Sequence, residues 1–180
     1  MAEVVYEPLA GTDFDLPTVP ASASALIFDT RRRLLILHPT YKSGWTIPGG
    51  VMESDGETPW QACQREVREE CGLEVTAARL ACVDFRPARP GRSGGIRFLF
   101  DCGQLDARAL QSITLQRDEL ADHRLVPVAD ALALLRKPIR RRVRAAVRRD
   151  GRARRHGTIY LEDGRPVSAV RPGLGERRDN

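Results

Sequence analysis

One segment, Thr58 to Leu73 (TPWQACQREVREECGL), constrains the fold of this chain most, because both ends of a helix are encoded in it. Thr58 is a good N-cap residue, Pro59 suits the first helical position, and Gln61 completes a Ser/Thr-x-x-Glu/Gln capping box. Gly72 can adopt the left-handed conformation that ends many helices. The sequence therefore predicts a helix from about Pro59 to Cys71.

The two faces of this helix differ in polarity. An apolar stripe that should pack on a sheet is formed by Trp60, Cys63, Val67 and Cys71. Three carboxylates crowd one flank: Glu66, Glu69 and Glu70. Because like charges at these spacings destabilise a helix, a cation is expected beside them. Arginine ion pairs on the helix surface are one source of positive charge and a bound magnesium ion is the other, and helix spacing alone favours the ion pairs.

The residues around the helix resemble the Nudix box, the signature of the Nudix hydrolase family. That box is Gly, five residues, Glu, seven residues, then Arg-Glu-apolar-x-Glu-Glu-x-Gly-apolar. In GGVMESDGETPWQACQREVREECGL the positions from Glu57 to Leu73 match it in type and spacing. Between Gly50 and Glu57, however, six residues stand where the pattern has five. We expect this one-residue insertion to bulge near Ser54 and Asp55, outside the helix.

The resemblance implies a fold, a reaction class and a cofactor. The fold would be an α/β, Nudix-type α/β/α sandwich with a mixed central sheet. Members of the family hydrolyse a nucleoside diphosphate linked to another moiety, with Mg²⁺ or Mn²⁺ as cofactor. The expected substrate is thus a nucleotide derivative such as a nucleoside triphosphate, an oxidised nucleotide, a nucleotide sugar or ADP-ribose.

The resemblance also implies roles for the residues that match the box. The metal ligands would be Glu66, Glu69 and Glu70. Arg65 would hold a glutamate in place through a charge-assisted hydrogen bond. Glu57 would be an outer acid, and the carbonyl oxygen of Gly49 would be a further metal ligand.

An additional acidic residue is predicted outside the box. Glu119 precedes a short predicted strand, at a place where many Nudix chains carry another acid. We expect it to be a metal ligand or a base, with Asp118 and Asp122 as rivals, while a solvated loop acid is an equally good interpretation of the sequence.

Substrate-binding residues are predicted near a hairpin tip and near the box. Arg86 and Arg97 flank the tip and are expected to bind phosphates, with solvated loop arginines as the alternative interpretation. Tyr41 is expected to stack on a base, with Trp45 and Phe85 as alternatives. No residue pattern indicates which nucleotide derivative is bound.

Apolar runs on both sides of the box predict the rest of the fold. SALIFDT and RRRLLILHP predict two strands, and GWTIPGG predicts a short strand that runs into a Pro-Gly-Gly loop. EVTAARLACVDFRP and GGIRFLFDCG predict a hairpin, HRLVPV a strand and VADALALLRK a helix, while Asp163-Gly164 predicts a further hairpin turn. The predicted organisation is an irregular lead-in over 1–20, a Nudix domain over 21–150, and an extension over 151–180 with a hairpin and a frayed tail.

A basic run from Arg136 to His156 carries much of the net charge of +5. Apolar residues recur in it at helical spacing: Ile139, Val143, Ala146 and Val147. This favours an amphipathic helix whose arginines face solvent. Nucleic-acid binding is the alternative, and with it an RNA 5′-end pyrophosphohydrolase.

The remaining composition excludes several classes of protein. No apolar run is long enough to span a membrane and the first residues are acidic, so we expect a cytoplasmic protein with no membrane partner. The four cysteines lack zinc-ligand spacing and are expected to be buried hydrophobes. Many Nudix proteins are dimers, which suggests a homodimer. A Nudix-like nucleotide sensor that does not cut its ligand and a Nudix isomerase are further alternatives. The complete Arg-Glu-x-x-Glu-Glu set argues against the sensor, and the additional catalytic cysteine and glutamate of an isomerase cannot be placed in the sequence.

Overall fold

The strands of the computed structural model, which describes residues 18–91, 93–150 and 157–167, form one mixed sheet. They are β1 (Ala21–Phe28), β2 (Arg33–Pro39), β3 (Gly49–Val51), β4 (Arg79–Arg86), β5 (Gly95–Gln104), β6 (Leu120–Pro127), β7 (Ile159–Glu162) and β8 (Arg165–Pro166). Their order is β6-β2-β1-β5-β4-β7-β8, with β3 on β1. The pairs β1–β5 and β4–β7 are parallel, and the other pairs are antiparallel.

Helices cover both faces of this sheet. They are α1 (Pro59–Cys71), α2 (Ala107–Gln111), α3 (Val128–Leu134) and α4 (Lys137–Asp150). Alternate residues of β1 point to opposite faces. Ala23, Ala25 and Ile27 pack with α1 in one core, whereas Leu26 and Phe28 pack with α3 and α4 in the other. The architecture is therefore the predicted α/β/α sandwich with a mixed sheet.

The bounds of α1 agree with the prediction because its caps form as expected. The Thr58 side chain accepts a hydrogen bond from the backbone N–H of Gln61, and the Gln61 side chain accepts one from the N–H of Thr58. Gly72 adopts the left-handed conformation, with φ of 66°, and its N–H donates to the Arg68 carbonyl.

Two elements differ from the prediction. The Gly-Gly pair expected in a loop lies in strand β3, because Gly49 and Gly50 pair with Ser24 and Ala23 of β1. Helix α2 was not predicted; Asp106 caps it by accepting a hydrogen bond from the N–H of Ala109 at 2.8 Å. At five residues, α2 is too short for hydrophobic periodicity to reveal it.

The basic helix α4 is amphipathic as predicted, with one exception. Val143 and Ala146 are buried, and Ile139 and Val147 pack beside them. Arg142 contradicts the prediction that the arginines face solvent, since it is only 7% exposed and its Nε lies 3.3 Å from Oδ2 of Asp84. That carboxylate on β4 is what permits an arginine to be buried there.

The predicted C-terminal hairpin forms and extends the sheet. Asp163 and Gly164, both with positive φ, make the turn between β7 and β8, and β7 pairs with β4. The Gly164 N–H donates to the buried Oδ1 of Asp84 at 2.8 Å. The predicted lead-in falls mostly outside the described residues and the predicted tail entirely so, and the domain division stays a prediction.

The cysteines agree with a further expectation. Cys63, Cys71 and Cys82 are buried, Cys102 is partly buried, and all four are free thiols. Burial raises the pKa of Cys82 to about 12. No helix in the described ranges is long and apolar enough to cross a membrane. The cytoplasmic location stays a prediction.

Candidate active site

Helix α1 meets strand β3 at a point where only glycine fits. A Cβ atom added to Gly50 would lie 2.5 Å from Cδ and 2.6 Å from Oε2 of Glu66. Gly49, with φ of 137°, packs equally closely on the backbone of β1. The absence of side chains on these two glycines lets the Glu66 carboxylate lie directly over the strand.

Glu70 is a buried carboxylate in the next helical turn. It is 8% exposed, and its Oε2 accepts a hydrogen bond of 2.7 Å from the N–H of Gly49. Burial raises the pKa of Glu70 to about 8, against the lowering effect of the Gly49 N–H, and Glu66 and Glu119 add repulsion. Burial likewise raises the pKa of Glu66. The site thus holds more negative charge than its own residues balance.

Arg65 lies among the glutamates and organises them. Its Nε donates to Oε1 of Glu57 at 2.8 Å, and its Nη1 donates to Oε1 of Glu66 at 3.0 Å and to Oε2 of Glu69 at 2.9 Å. Its Nη2 donates to the Val51 carbonyl at 3.0 Å, which ties the helix to β3. The hydrogen bonds to Arg65 lower the pKa of Glu57 and raise that of Arg65 itself.

The turn before α1 is where we expect the inserted residue. Residues 54–56 form a bend, and the Asp55 carboxylate accepts a hydrogen bond from the N–H of Glu57 at 3.1 Å. Glu57 Oε2 in turn accepts one from the N–H of Glu53 at 2.9 Å. The extra residue therefore leaves both β3 and the glutamates of α1 in place.

These residues line an open pocket of about 500 Å³, which we call the carboxylate pocket. Its lining within the described residues is Tyr41, Gly49, Gly50, Val51, Arg65, Glu66, Glu69, Glu70, Gln116 and Glu119. Seven of the predicted site residues are thereby brought together, and Glu57 adjoins them through Arg65. Gln116 was missed, because no motif marks an isolated glutamine in a loop.

Glu119 reaches the carboxylate pocket from a distant part of the chain. Its carbonyl accepts a hydrogen bond from the N–H of Thr40 at 2.8 Å, and its own N–H donates to the Gln116 carbonyl at 3.1 Å. The rivals named from the sequence are placed differently. Asp118 does not line the pocket, and the Asp122 carboxylate pairs with Arg124 at 3.4 Å within β6.

The family follows from a match over most of the chain. The NUDIX domain family matches residues 18–147. The chain belongs to the NUDIX family. Two characterised relatives are an isopentenyl-diphosphate Delta-isomerase of Mycolicibacterium vanbaalenii, 33% identical over 109 residues, and an 8-oxo-dGTP diphosphatase of Proteus vulgaris, 40% identical over 62 residues. The matches cover 58% and 32% of this chain, and only 60% and 54% of those relatives.

Solved structures agree on the fold of this NUDIX protein. A MutT protein from Methanosarcina mazei superposes with a TM-score of 0.64 at 23% identity, over 74% of this chain and 96% of that one. The NUDIX domain of Shewanella oneidensis NrtR, in complex with ADP ribose, gives a TM-score of 0.63 at 19% identity, over 83% and 99%. At such identities the likeness concerns the fold alone.

The donor atoms of the carboxylate pocket fit a hard divalent cation. They are carboxylate and carbonyl oxygens, which Mg²⁺ and Mn²⁺ prefer. Within the described residues no three acidic, histidine or cysteine side chains already converge as a metal cage. Arg65 and the Gly49 N–H each engage an oxygen of the predicted ligands. One carboxylate oxygen on each of Glu66, Glu69 and Glu70 lacks such a bond and is available to a metal ion.

The predicted substrate residues fall into two groups. Tyr41, 65% exposed, borders the carboxylate pocket, and its hydroxyl accepts a hydrogen bond from Lys42 at 2.8 Å. Arg86 and Arg97 instead line a separate cavity on the α4 side of the sheet. The sequence did not indicate that Arg86 and Arg97 are separated from Tyr41, because this separation depends on which face of the sheet each side chain occupies.

Proposed function

We propose that this NUDIX protein is a divalent-metal-dependent pyrophosphohydrolase that cleaves the diphosphate linkage of a nucleoside diphosphate derivative by attack of water on phosphorus. The observation that supports this most strongly is the meeting of Glu66, Glu69, Glu70 and Glu119 in one open pocket with too little positive charge to balance them. Such a pocket attracts a cation, and the cation in turn attracts a diphosphate.

The residues of the box have distinct roles in this proposal. Glu66, Glu69 and Glu70, with the carbonyl oxygen of Gly49, would hold Mg²⁺ or Mn²⁺. When bound, the metal ion neutralises phosphate oxygens and lowers the pKa of coordinated water. Arg65 keeps the glutamates oriented, and Glu57 fixes Arg65 from the side away from the pocket. Tyr41 is positioned to contact the nucleotide at the rim.

Replacement of a buried ligand tests the reaction. In a panel of nucleotide diphosphate derivatives with Mg²⁺ or Mn²⁺, we expect Glu70→Gln to lower the rate of phosphate or pyrophosphate release by more than about 100-fold while the melting temperature changes little. Glu74→Gln, an exposed carboxylate just beyond α1, should retain the wild-type rate. A near-normal rate in Glu70→Gln would exclude the proposed mechanism.

Glu119 is the acid outside the box that the geometry favours as a ligand or base. We expect Glu119→Ala to reduce kcat by about 100-fold or more, since general acid–base groups contribute roughly 10²–10⁴-fold. Asp122→Ala, which removes a surface pair with Arg124, should be nearly neutral. Equally mild effects of the two substitutions would remove Glu119 from the site.

Isomerisation is the second candidate, favoured by the 33% identity to an isopentenyl-diphosphate Delta-isomerase. No cysteine or histidine lines the described part of the carboxylate pocket, whereas the carboxylates suit hydrolysis. Isopentenyl diphosphate belongs in the panel, and its conversion to an isomer with both phosphates retained would establish this alternative.

Two further alternatives are separated by the same panel. An RNA 5′-end pyrophosphohydrolase would release pyrophosphate from triphosphorylated RNA with a steep dependence on salt, but not from mononucleotides. A nucleotide sensor would bind a member of the panel and cleave none.

A further inference from the structure

The cavity on the α4 side of the sheet is strongly basic. Its volume is about 850 Å³, which is within the usual range for ligand pockets. Its lining in the described ranges includes one carboxylate, that of Asp163, and six cationic side chains: Arg86, Arg89, Arg97, Arg136, Lys137 and Arg141. We call it the basic cavity.

Most of these cations lack an ion-pair partner, and the buried Asp84 carboxylate offsets the charge of Arg86 and Arg97 only through space. Asp163 pairs with Arg141 at 3.0 Å and with Arg89 at 3.3 Å. The other four cations form no salt bridge with any described carboxylate: Arg86, Arg97, Arg136 and Lys137.

Two of these arginines are also partly removed from water. Among the described residues, Arg86 Nε is buried without a hydrogen-bond partner. Burial, followed by repulsion from Arg86, lowers the pKa of Arg97. A buried donor without a partner is costly, and an anion in the cavity would stabilise the guanidinium charge that this donor belongs to.

The residues that line the basic cavity indicate which kind of anion fits it. Bases are usually held by stacking on aromatic rings, but no aromatic side chain lines the described part of the basic cavity. Arginine presents a planar fork that matches phosphate oxygens. The group that best fits the cavity is therefore a phosphate rather than a nucleobase.

The backbone segments that line the basic cavity and the carboxylate pocket adjoin each other, with the two sites on opposite faces of the sheet. Tyr41 lines the pocket and Ser43 lines the cavity, and residues two apart have Cα atoms within about 7 Å. Arg97 of β5 is in register with Ser22 of β1, which is in register with Val51 of β3 at the pocket. Two strand spacings amount to about 10 Å.

We propose that the basic cavity binds a phosphate group that the substrate carries in addition to the diphosphate that is hydrolysed. The preferred substrates are then small nucleotide derivatives with a further phosphate on a ribose. This inference rests on the proposed function, because it places the scissile linkage in the carboxylate pocket.

Matched substrate pairs test the inference. Coenzyme A and dephospho-coenzyme A share one diphosphate and differ by a single ribose phosphate, as do NADPH and NADH. We expect kcat/KM to be at least about tenfold higher for the phosphorylated member of a pair, as expected for a charge-assisted hydrogen bond, with most of the change in KM.

Charge-matched variants locate the effect. The double substitution Arg136→Gln/Lys137→Gln, at two exposed positions, should reduce the preference to less than about threefold. Arg108→Gln/Arg144→Gln removes the same charge from exposed positions outside the basic cavity and should retain the full preference. Loss of the preference in both doubles would overturn the inference, because it would indicate a general charge effect.

The remaining outcomes separate this inference from the proposed function. Hydrolysis at equal rates within each pair overturns the inference and leaves the proposed function intact. A preference for triphosphorylated RNA over coenzyme A has the same two consequences. If no compound is hydrolysed, the proposed function fails, and calorimetry decides the inference alone. Adenosine 3′,5′-bisphosphate should then bind the metal-free protein about tenfold more tightly than AMP, and equal affinities would overturn the inference.

Discussion

The carboxylate pocket and the basic cavity carry opposite charge imbalances on the two sides of one sheet. In the pocket four glutamates surround a single arginine, whereas in the cavity six cations surround a single aspartate. Most of the pocket's charge comes from one turn and a half of α1. The cavity draws its charge from β4, β5, the start of α4 and the β7–β8 turn. A contiguous motif therefore reveals the first site, while the second emerges only after folding.

The partly buried Arg65 and the buried Arg142 show the same contrast. Arg65 is held by glutamates of its own helix and of the preceding turn. Arg142 on α4 pairs with Asp84 on β4, which also accepts the N–H of Gly164. Burial raises the pKa of Asp84, partly offset by the Gly164 N–H and by Arg142. Arg65 thus orders residues that are close in the sequence. The Arg142–Asp84 pair joins α4, β4 and the β7–β8 turn, which are distant in the sequence.

Breaking the distant pair should have the largest effect. We expect Asp84→Ala to lower the free energy of unfolding by about 3–5 kcal/mol, since removal of one partner leaves a buried charge unpaired. Chemical denaturation measures this. Asp101→Ala, which removes a partly exposed pair with Arg79 on the neighbouring strand, should cost less than about 1 kcal/mol. If the two substitutions cost the same, Asp84 does not hold the basic cavity together.

A single methyl group in the carboxylate pocket should have the next largest effect. Gly50→Ala places a Cβ against the Glu66 carboxylate and should lower kcat/KM by about 100-fold through misplacement of that group. Far-ultraviolet circular dichroism should show an unchanged fold. Gly157→Ala, where a Cβ meets nothing within 4 Å, is the matched control. Normal activity of Gly50→Ala would mean that Glu66 does not act from its observed position.

The balanced pair Asp29–Arg33 in the β1–β2 turn should give the smallest effect. Burial opposes ionisation of Asp29, but hydrogen bonds from the Arg33 and Arg31 backbone and from the Arg33 guanidinium lower its pKa. Because the folded pKa lies below the unfolded value near 3.9, the stabilisation is present above about pH 4 and disappears as the pH falls through the folded pKa.

The measurement is the difference in unfolding free energy between wild type and Asp29→Asn. We expect about 1.5 kcal/mol at pH 7, from the loss of charged hydrogen bonds, and less below about pH 4. Asp118→Asn, at an exposed position, serves as the reference. A difference that grows on acidification would contradict the assignment.

Local signals predicted a large part of the fold and the pocket. The bounds of α1 follow from a cap, a proline and a glycine in adjacent residues, and the β7–β8 turn follows from Asp163-Gly164. The carboxylates of α1 share a flank because helical spacing is fixed. The place of the extra residue before Glu57 stays a prediction, and the bend at residues 54–56 is a turn that can absorb it.

Other features depended on segments that are distant in the chain. Strand β3 was predicted as a loop because two glycines have low strand propensity, yet pairing with β1 overrides that preference. Helix α2 was missed because it has only five residues. Arg142 was expected in solvent because no residue near it in the sequence predicts its ion pair with Asp84.

The sequence by itself determined where α1 begins and ends and which carboxylates it presents, because capping and helical periodicity act between neighbouring residues. Its resemblance to the Nudix box implied the α/β/α fold. Tertiary structure alone decided that Gly50 lies against Glu66, that Glu119 joins the pocket, and that Arg86 and Arg97 line a different cavity. Those outcomes depend on strand register and on which face of the sheet each side chain occupies, and both are set by the packing of the whole sandwich.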